Sequence, residues 1–191
     1  MAERPNWFVG LPVPAEGWYR ERVLRTAPEA LRVFPPDDLH LTLAFLGSVD
    51  EARARAAWEA RDCWDRGAIT ASLGPVVPLG GDRHRFRVLA ARLDGGDEAV
   101  AAGMRACQPA LLDAAGLPPP QRPPLPHVTL GRVPRRLAHR ERRALLRWAE
   151  GLDLAGVPVP LEEVALYTWS DDRPKRLFRI VERAPLGAAD A

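Results

Sequence analysis

The tetrapeptide His40-Leu41-Thr42-Leu43 returns 87 positions later as His127-Val128-Thr129-Leu130. The chain has only four histidines and five threonines, so chance explains this repetition poorly. Each tetrapeptide alternates polar and apolar residues, which is the period of a half-buried β-strand. The histidine and threonine of each strand therefore share one face, and the apolar residues point into a core.

Two such strands facing each other would bring two imidazoles and two hydroxyls together. This set suits an anionic phosphate, because one imidazole can take a proton from water and the other can give one to a leaving oxygen. The hydroxyls of Thr42 and Thr129 can hold the non-bridging oxygens. A single half-buried histidine is more often structural, and threonine is common in strands anyway. The matched pair of motifs favours catalysis by His40 and His127.

In their longer context, HLTLAFLG (40–47) and PHVTLGR (126–132), the motifs resemble those of the two-histidine phosphoesterases. The similarity is to the branch of RNA 2′,3′-cyclic phosphodiesterases, also called 2′-5′ RNA ligases. The resemblance implies an α+β fold with two antiparallel sheets and outer helices, related by a pseudo-two-fold. It places the active site in the cleft of one bilobed domain over 1–191. By the same resemblance, His40 is the proton donor to the ribose O3′ and His127 is the proton acceptor that activates water.

Three further site residues are suggested by the resemblance, although the residue pattern leaves alternatives open. Phe45 matches a phenylalanine of the family, but alternation puts it on the core face unless the strand bends. Arg132 matches a common arginine, but only a bend or its long stem would bring it to the phosphate. Tyr167 lies near a family tyrosine close to the cleft, and a core tyrosine is the alternative. The strand around 88–91 lacks the tryptophan that family members often carry there.

The chain is predicted to repeat the order strand, helix, motif strand, helix, strand, which indicates an internal duplication. Proline and glycine punctuate the pattern, and Pro109 is expected to kink or split its helix. The predicted strands are 7–13, 39–46, 69–79 with a break at 74–75, 85–93, 127–133, 157–159, 163–169 and 177–182. The predicted helices are 16–25, 50–66, 97–115 and 137–150, and the tail 187–191 is expected to be disordered.

The composition argues against a protein that binds nucleic acid through its overall charge. The chain has 27 basic and 25 acidic residues, so no global positive field indicates a nucleic-acid protein. Three local basic clusters are interpreted as solvated faces, or as a track for an RNA backbone if they line one rim. They are Arg83 to Arg87 with His84, the run from Arg135 to Arg143 with His139, and Arg173 with Lys175 and Arg176. His84 and His139 are expected at the surface.

The two cysteines, Cys63 and Cys107, have no metal or redox spacing and do not suggest a disulfide scaffold, so a reducing cytoplasm is the default. No signal peptide or transmembrane run is expected. No metal-ligand cluster or glycine-rich phosphate loop is recognisable, so neither a metal nor another cofactor is expected.

The sequence thus predicts metal-independent hydrolysis of RNA 2′,3′-cyclic phosphate ends to 2′-phosphomonoesters by a monomer. The expected partner is such an RNA, with tRNA fragments among the candidates. Three alternatives stay open: 2′-5′ RNA ligation at the same site, a small-molecule cyclic phosphate substrate such as an ADP-ribose derivative, and a non-catalytic RNA-binding module.

Overall fold

A computed structural model describes residues 4–82 and 84–187, and within them the chain forms nine strands and three α-helices. The strands are β1 (Trp7–Pro12), β2 (Arg32–Val33), β3 (His40–Gly47), β4 (Ile69–Leu79), β5 (Val88–Gly95), β6 (His127–Arg132), β7 (Pro158–Leu161), β8 (Glu163–Trp169) and β9 (Phe178–Pro185). The helices are α1 (Glu51–Glu59), α2 (Asp97–Ala114) and α3 (His139–Gly151), with a π-helical turn at Tyr19–Leu24 and 3₁₀ turns at Pro36–Asp38 and Arg61–Cys63.

The strands are antiparallel and follow the order β7-β4-β5-β6-β3-β1-β8-β9, with β2 attached to β6. The two motif strands β3 and β6 are thus neighbours at the centre. Their register contains the single pair Leu41–Val128, so the sheet consists of two halves joined along one short boundary. The α+β class is confirmed, and the two predicted sheets are these two halves of one continuous sheet. In one half, β1 lies beside the motif strand β3 and is the strand that precedes it in the proposed repeat. In the other half, β5 lies beside β6 and precedes it in the same way. The pseudo-two-fold itself stays a prediction.

The apolar residues of both motifs lie in the core, as predicted. Leu41, Leu43, Val128 and Leu130 are each no more than 1% exposed. Burying one such side chain stabilises the fold by roughly 1.5–3 kcal/mol, which fixes the register that turns the polar face outward.

Strand β3 contains a bulge at Leu43, the last residue of its motif. Val9 of β1 pairs with Ala44 and the next residue, Gly10, pairs with Thr42, so Leu43 is an extra residue. An extra residue shifts the alternation of the side chains beyond it. Phe45 is therefore turned to the face of Thr42, and it is 58% exposed.

Strand β6 carries a bulge at the equivalent position. Leu89 of β5 pairs with Gly131 and the next residue pairs with Thr129, which makes Leu130 the extra residue. The shift brings Arg132 to the face of Thr129, just as it brings Phe45 to the cleft in the other motif. A prediction from strict alternation of polar and apolar residues does not contain such a bulge.

Helix α1 begins where predicted but ends earlier. The side chain of Asp50 accepts a hydrogen bond from the Arg53 amide, as an N-cap does. The helix ends at Glu59 instead of continuing to 66, and the chain passes through a 3₁₀ turn. Strand β4 is not broken at Gly74-Pro75 but has a register shift there.

Helix α2 includes Pro109 and continues through it, so of the two predicted outcomes, a kink or a split, the split does not occur. Its buried residues Met104, Cys107 and Leu111 hold both sides of the proline against the core. Packing therefore offsets the loss of one backbone hydrogen bond. No helix among the described residues is long and apolar enough to cross a lipid bilayer.

The two cysteines form a disulfide bond, which the sequence reasoning did not anticipate. Cys63 and Cys107 are 44 residues apart, and packing of the 3₁₀ turn against α2 brings their Cα atoms to 4.9 Å. The pairing removes the cysteine argument for a reducing compartment. At the carboxyl end, the Gly187 carbonyl accepts a hydrogen bond from the Ala68 amide, and the rest of the predicted disordered tail lies outside the described residues.

The bulge in β3 depends on the absence of a side chain at Gly10. A Cβ at this position would lie 2.8 Å from the Leu41 carbonyl oxygen. We expect Gly10→Ala to lower the free energy of unfolding by about 1–3 kcal/mol, because backbone atoms must move apart. Urea unfolding measures this change. Gly151→Ala is the control, since a Cβ at Gly151 has no atom within 4 Å; equal stability of the two variants would contradict the expectation.

Candidate active site

Both motif histidines are oriented by the same local hydrogen bond. His40 Nδ1 lies 2.7 Å from the Asp38 carbonyl oxygen, and His127 Nδ1 lies 2.6 Å from the Leu125 carbonyl oxygen. A carbonyl can only accept, so Nδ1 of each ring carries the proton and donates it. Each ring therefore presents Nε2 as its reactive nitrogen.

His40 is enclosed by aromatic side chains. Its ring stacks on Phe8 at 4.5 Å between centroids, and the rings of Tyr167 and Phe178 lie at 5.3 and 5.5 Å. Burial lowers the pKa of His40 to about 4, although the hydrogen bond to the Asp38 carbonyl opposes this. The charges of His127 and Arg132 lower it further. His40 is thus neutral at pH 7 in the ligand-free protein.

His127 is less enclosed but has the same protonation state. Burial is again the largest cause that lowers its pKa, and the hydrogen bond to Leu125 opposes it. The positive charge of Arg92, on the neighbouring strand, lowers the pKa further. Both imidazoles can therefore act as proton acceptors before substrate binds.

The polar faces of the two motifs open into one cleft made of two adjoining cavities. The first, of about 210 Å³, is lined by Asn6, Phe8, Phe34, His40, Thr42, Phe45, Val88, Thr129, Arg132, Trp169 and Phe178. The second, of about 490 Å³, is lined by Thr42, Phe45, Met104, Gln108, His127 and residues 120–125. The cavities share Thr42 and Phe45, so the structure brings together both histidines and both threonines.

Arg132 lies at the His40 side of this cleft. Its guanidinium carbon is 5.7 Å from the centroid of Phe34 and 6.0 Å from that of Phe178. Burial lowers the pKa of Arg132, and the charge of Arg173 acts in the same direction. No ion pair holds its guanidinium among the described residues, so it can bind an anion.

Phe45 and Tyr167 occupy different environments. Phe45 projects into the cleft between the two cavities, where a nucleobase can stack on it. Tyr167 is 1% exposed and stacks on Phe8 at 4.6 Å. Burial raises its pKa, and its ring lies behind that of His40, so it supports the histidine from the core and does not line the cleft.

Asp38 is a site residue that the sequence reasoning missed. It is fully buried, and its carboxylate accepts hydrogen bonds from the amides of Leu177 and Phe178 at 2.6 and 3.2 Å. Burial raises the pKa of Asp38, whereas these two amides and Arg176 act in the opposite direction. The residue thus fixes the start of β9 to the base of β3, and it places Phe178 against His40. Its position two residues before a motif histidine is the signal that could have identified it.

The first two basic clusters adjoin each other, since His84, His139 and Arg143 line one cavity, and neither motif histidine lines it. Arg142 in the second cluster is buried, and its guanidinium donates to the carbonyls of Phe86, Pro134 and Arg135. In the third cluster, Arg173 stacks over Trp169 at 4.0 Å at the edge of the cleft. In the first cluster, Arg83 lies outside the described residues. The third cluster thus reaches the edge of the cleft that contains His40.

The chain shares its fold with several solved structures. The chain is similar to Escherichia coli LigT, solved in complex with 3′-AMP, with a TM-score of 0.70, 23% identity and coverage of 96% of this chain and 99% of LigT. It is also similar to TT0787 of Thermus thermophilus, with a TM-score of 0.67, 24% identity and coverage of 96% and 98%. Usb1 of Kluyveromyces marxianus has a TM-score of 0.54, 13% identity and coverage of 95% and 97%. At these identities the likeness establishes the fold. The chain matches no protein-family model and no curated protein sequence.

Removal of the Asp38 carboxylate should destabilise the protein. Asp38→Ala leaves the buried amide of Phe178 and the partly buried amide of Leu177 without an acceptor, at about 1–3 kcal/mol each, so we expect a total loss of about 2–5 kcal/mol in urea unfolding. Asp37→Ala is the matched control, because Asp37 is the exposed neighbour. Equal unfolding midpoints for the two variants would contradict this role of Asp38.

The lowered pKa of His40 predicts a pH dependence of stability. Between the ordinary value of 6.5 and about 4, the unfolded chain binds a proton that the folded protein does not. The free energy of unfolding should therefore fall as pH falls through this range, by about 3 kcal/mol from His40. Urea unfolding at several pH values measures the slope.

The comparison variant is His40→Gln, which cannot titrate and should show a shallower slope. Because the pKa of Asp38 is raised, Asp38 contributes a slope of opposite sign to the free energy of unfolding against pH. Both proteins contain Asp38, so its contribution cancels when their slopes are subtracted. An unchanged slope would show that His40 titrates normally in the fold.

Proposed function

We propose that the protein hydrolyses RNA 2′,3′-cyclic phosphate ends to 2′-phosphomonoesters with His40 and His127 as general acid and base. The observation that carries this proposal is the matched orientation of the two histidines. Both rings donate through Nδ1 to the carbonyl two residues earlier, and both line one cleft with a threonine hydroxyl. Opposed acid and base are what in-line attack at phosphorus requires.

In the proposed reaction, water attacks phosphorus while His127 Nε2 takes one of its protons. The new P–O bond forms as the bond from phosphorus to O3′ breaks. His40 Nε2 gives its proton to the departing O3′, which becomes a hydroxyl, and the phosphate stays on O2′. Proton exchange with solvent then restores both rings.

The remaining cleft residues bind the substrate in this proposal. Thr42 and Thr129 donate hydrogen bonds to the non-bridging oxygens, and Arg132 contributes positive charge on the His40 side. Phe45 offers its exposed ring to the terminal base. Tyr167 acts only through the ring of His40.

In this proposal, His40 gains the proton that it donates only when the substrate is bound. Burial disfavours the protonated form of His40, so the free protein holds little of the acid form at neutral pH. A bound phosphate anion beside Nε2 favours the charged imidazole and raises its pKa. The acid is thus formed mainly in the substrate complex, which limits proton donation to an occupied site.

The structural neighbours support a nucleotide phosphoester substrate. LigT was solved in complex with 3′-AMP, a nucleoside monophosphate, and also with phosphate. RNA is the partner proposed for this chain on that basis. Ligation to a 2′-5′ bond would use the same residues in the reverse direction.

The decisive assay uses a short RNA that ends in a 2′,3′-cyclic phosphate. We expect the wild type to form the 2′-phosphate with and without EDTA, because the proposed chemistry uses only imidazoles. His40→Ala and His127→Ala should each reduce turnover by at least about 10²–10⁴-fold. Mass spectrometry of the RNA end measures the product.

The matched control is His139→Ala, an exposed histidine outside the cleft, which should keep full turnover. Full turnover by either motif variant would remove that histidine from the mechanism. Loss of activity with EDTA would indicate a metal, and formation of a joined RNA by the reverse reaction would indicate ligation.

A further inference from the structure

A cavity of about 330 Å³ lies outside the cleft and has a basic wall. It is lined by His84, His139, Arg142, Arg143 and Leu146. None of these residues lines either cavity of the cleft, whereas the two cleft cavities share two residues with each other. The basic cavity is therefore a separate feature, which the proposed hydrolysis does not use.

One connection and one helix bring these side chains together. His84 belongs to the connection between β4 and β5, and His139 and Arg143 lie on the first two turns of α3. The guanidinium of Arg142 donates to the carbonyl of Phe86 in that connection and to two carbonyls of the segment before the helix. A buried side chain thus holds the parts of the wall at fixed positions.

The wall carries positive charge without a carboxylate to balance it. Arg142 is 8% exposed, and its hydrogen bonds to carbonyls solvate its charge but do not neutralise it. Asp82 accepts a hydrogen bond from the His84 amide. Glu141 likewise accepts one from the Ala138 amide, and neither carboxylate lines the cavity. An anion in the cavity would therefore meet attraction from every charged side chain that lines it.

The other polar side chains of the wall are available to a ligand. The imidazoles of His84 and His139 and the guanidinium of Arg143 make no hydrogen bond, ion pair or ring contact with another described residue. Guanidinium and imidazole N–H groups match the oxygens of a phosphate. The arginine charges oppose the other ligand that two histidines could bind, a metal cation.

We infer that this cavity is a second anion site, which binds the phosphate group of a small molecule independently of the catalytic cleft. Arg143 and the two imidazoles supply N–H donors, and the fixed charge of Arg142 attracts the anion. The volume is at the lower end of the range for small-molecule pockets, roughly 300–1,000 Å³, so there is room for a phosphate with a small organic group. Leu146 offers that group an apolar contact. The inference goes beyond the proposed hydrolysis and does not depend on it.

Inorganic phosphate is the probe for the test, and the imidazole NMR signals of the protein are the readout. The chain has four histidines, two in the cleft and two in this cavity, so one titration reports on both sites. We expect the signals of His84 and His139, assigned with His84→Gln and His139→Gln, to shift with one dissociation constant of about 1 mM or lower. Sodium chloride at the same ionic strength should not reproduce these shifts. Glycerol 3-phosphate, a small phosphate ester, should bind at least as tightly as inorganic phosphate.

Arg143→Gln should weaken phosphate binding at the two cavity histidines about ten-fold or more and leave the signals of the two cleft histidines unchanged. The matched control is Arg147→Gln, which removes the same charge from an exposed position one turn later on α3 and outside the cavity. This control should bind phosphate as the wild type does. Both variants should unfold in urea at the wild-type midpoint, because both side chains are exposed.

Several results would overturn the site. They are cavity signals that do not shift, equal shifts in sodium chloride, different dissociation constants at the two histidines, weaker binding of the ester than of inorganic phosphate, and equal effects of the two arginine variants. Shifts with zinc but none with phosphate would make the histidine pair a cation site. Loss of RNA turnover in Arg143→Gln would assign the cavity to the RNA and refute its independence of the cleft. Absence of turnover by the wild type would refute the proposed hydrolysis and leave a positive phosphate titration as support for this site.

Discussion

The hydrogen bond from an imidazole Nδ1 to the carbonyl two residues earlier organises the cleft, and it occurs in both halves of the sheet. It fixes one tautomer and turns Nε2 outward in each ring. A backbone carbonyl is a suitable acceptor because the backbone just before the strand holds it in place. It also does not titrate. The rest of the fold serves to keep these two short segments close together, and the buried leucines of each motif hold the strands in the register that this requires.

The two halves support their histidines differently. His40 lies among Phe8, Tyr167 and Phe178, and the buried carboxylate of Asp38 ties that aromatic group to β9. His127 instead follows a proline-rich segment and faces a cleft bordered by α2. The aromatic side disfavours a charged imidazole more strongly, so the two nitrogens differ in basicity although their local hydrogen bonds are the same. The environment of His40 disfavours the protonated form that a proton donor needs, so its proposed role depends on the bound phosphate.

The sequence was sufficient for the strands, the faces and the pairing of the motifs, since these follow from alternation and from repeated residues. It did not show the bulges at Leu43 and Leu130, because an extra residue changes which residues are opposite without leaving a local mark. The faces of Phe45 and Arg132 were therefore open until the partner strands were known. Asp38 had a local signal in its position before His40, but its contacts to Leu177 and Phe178 depend on a part of the chain that lies far away in sequence.

The boundary between β3 and β6 has a mechanical consequence. A single residue pair joins these strands, whereas each motif strand is bound along its other side by several pairs. Rotation of one half against the other about this boundary would change the gap between the two Nε2 atoms and leave both hydrogen-bonded ladders intact. Leu41 and Val128, the pair that joins the strands, are both buried in the core at this boundary.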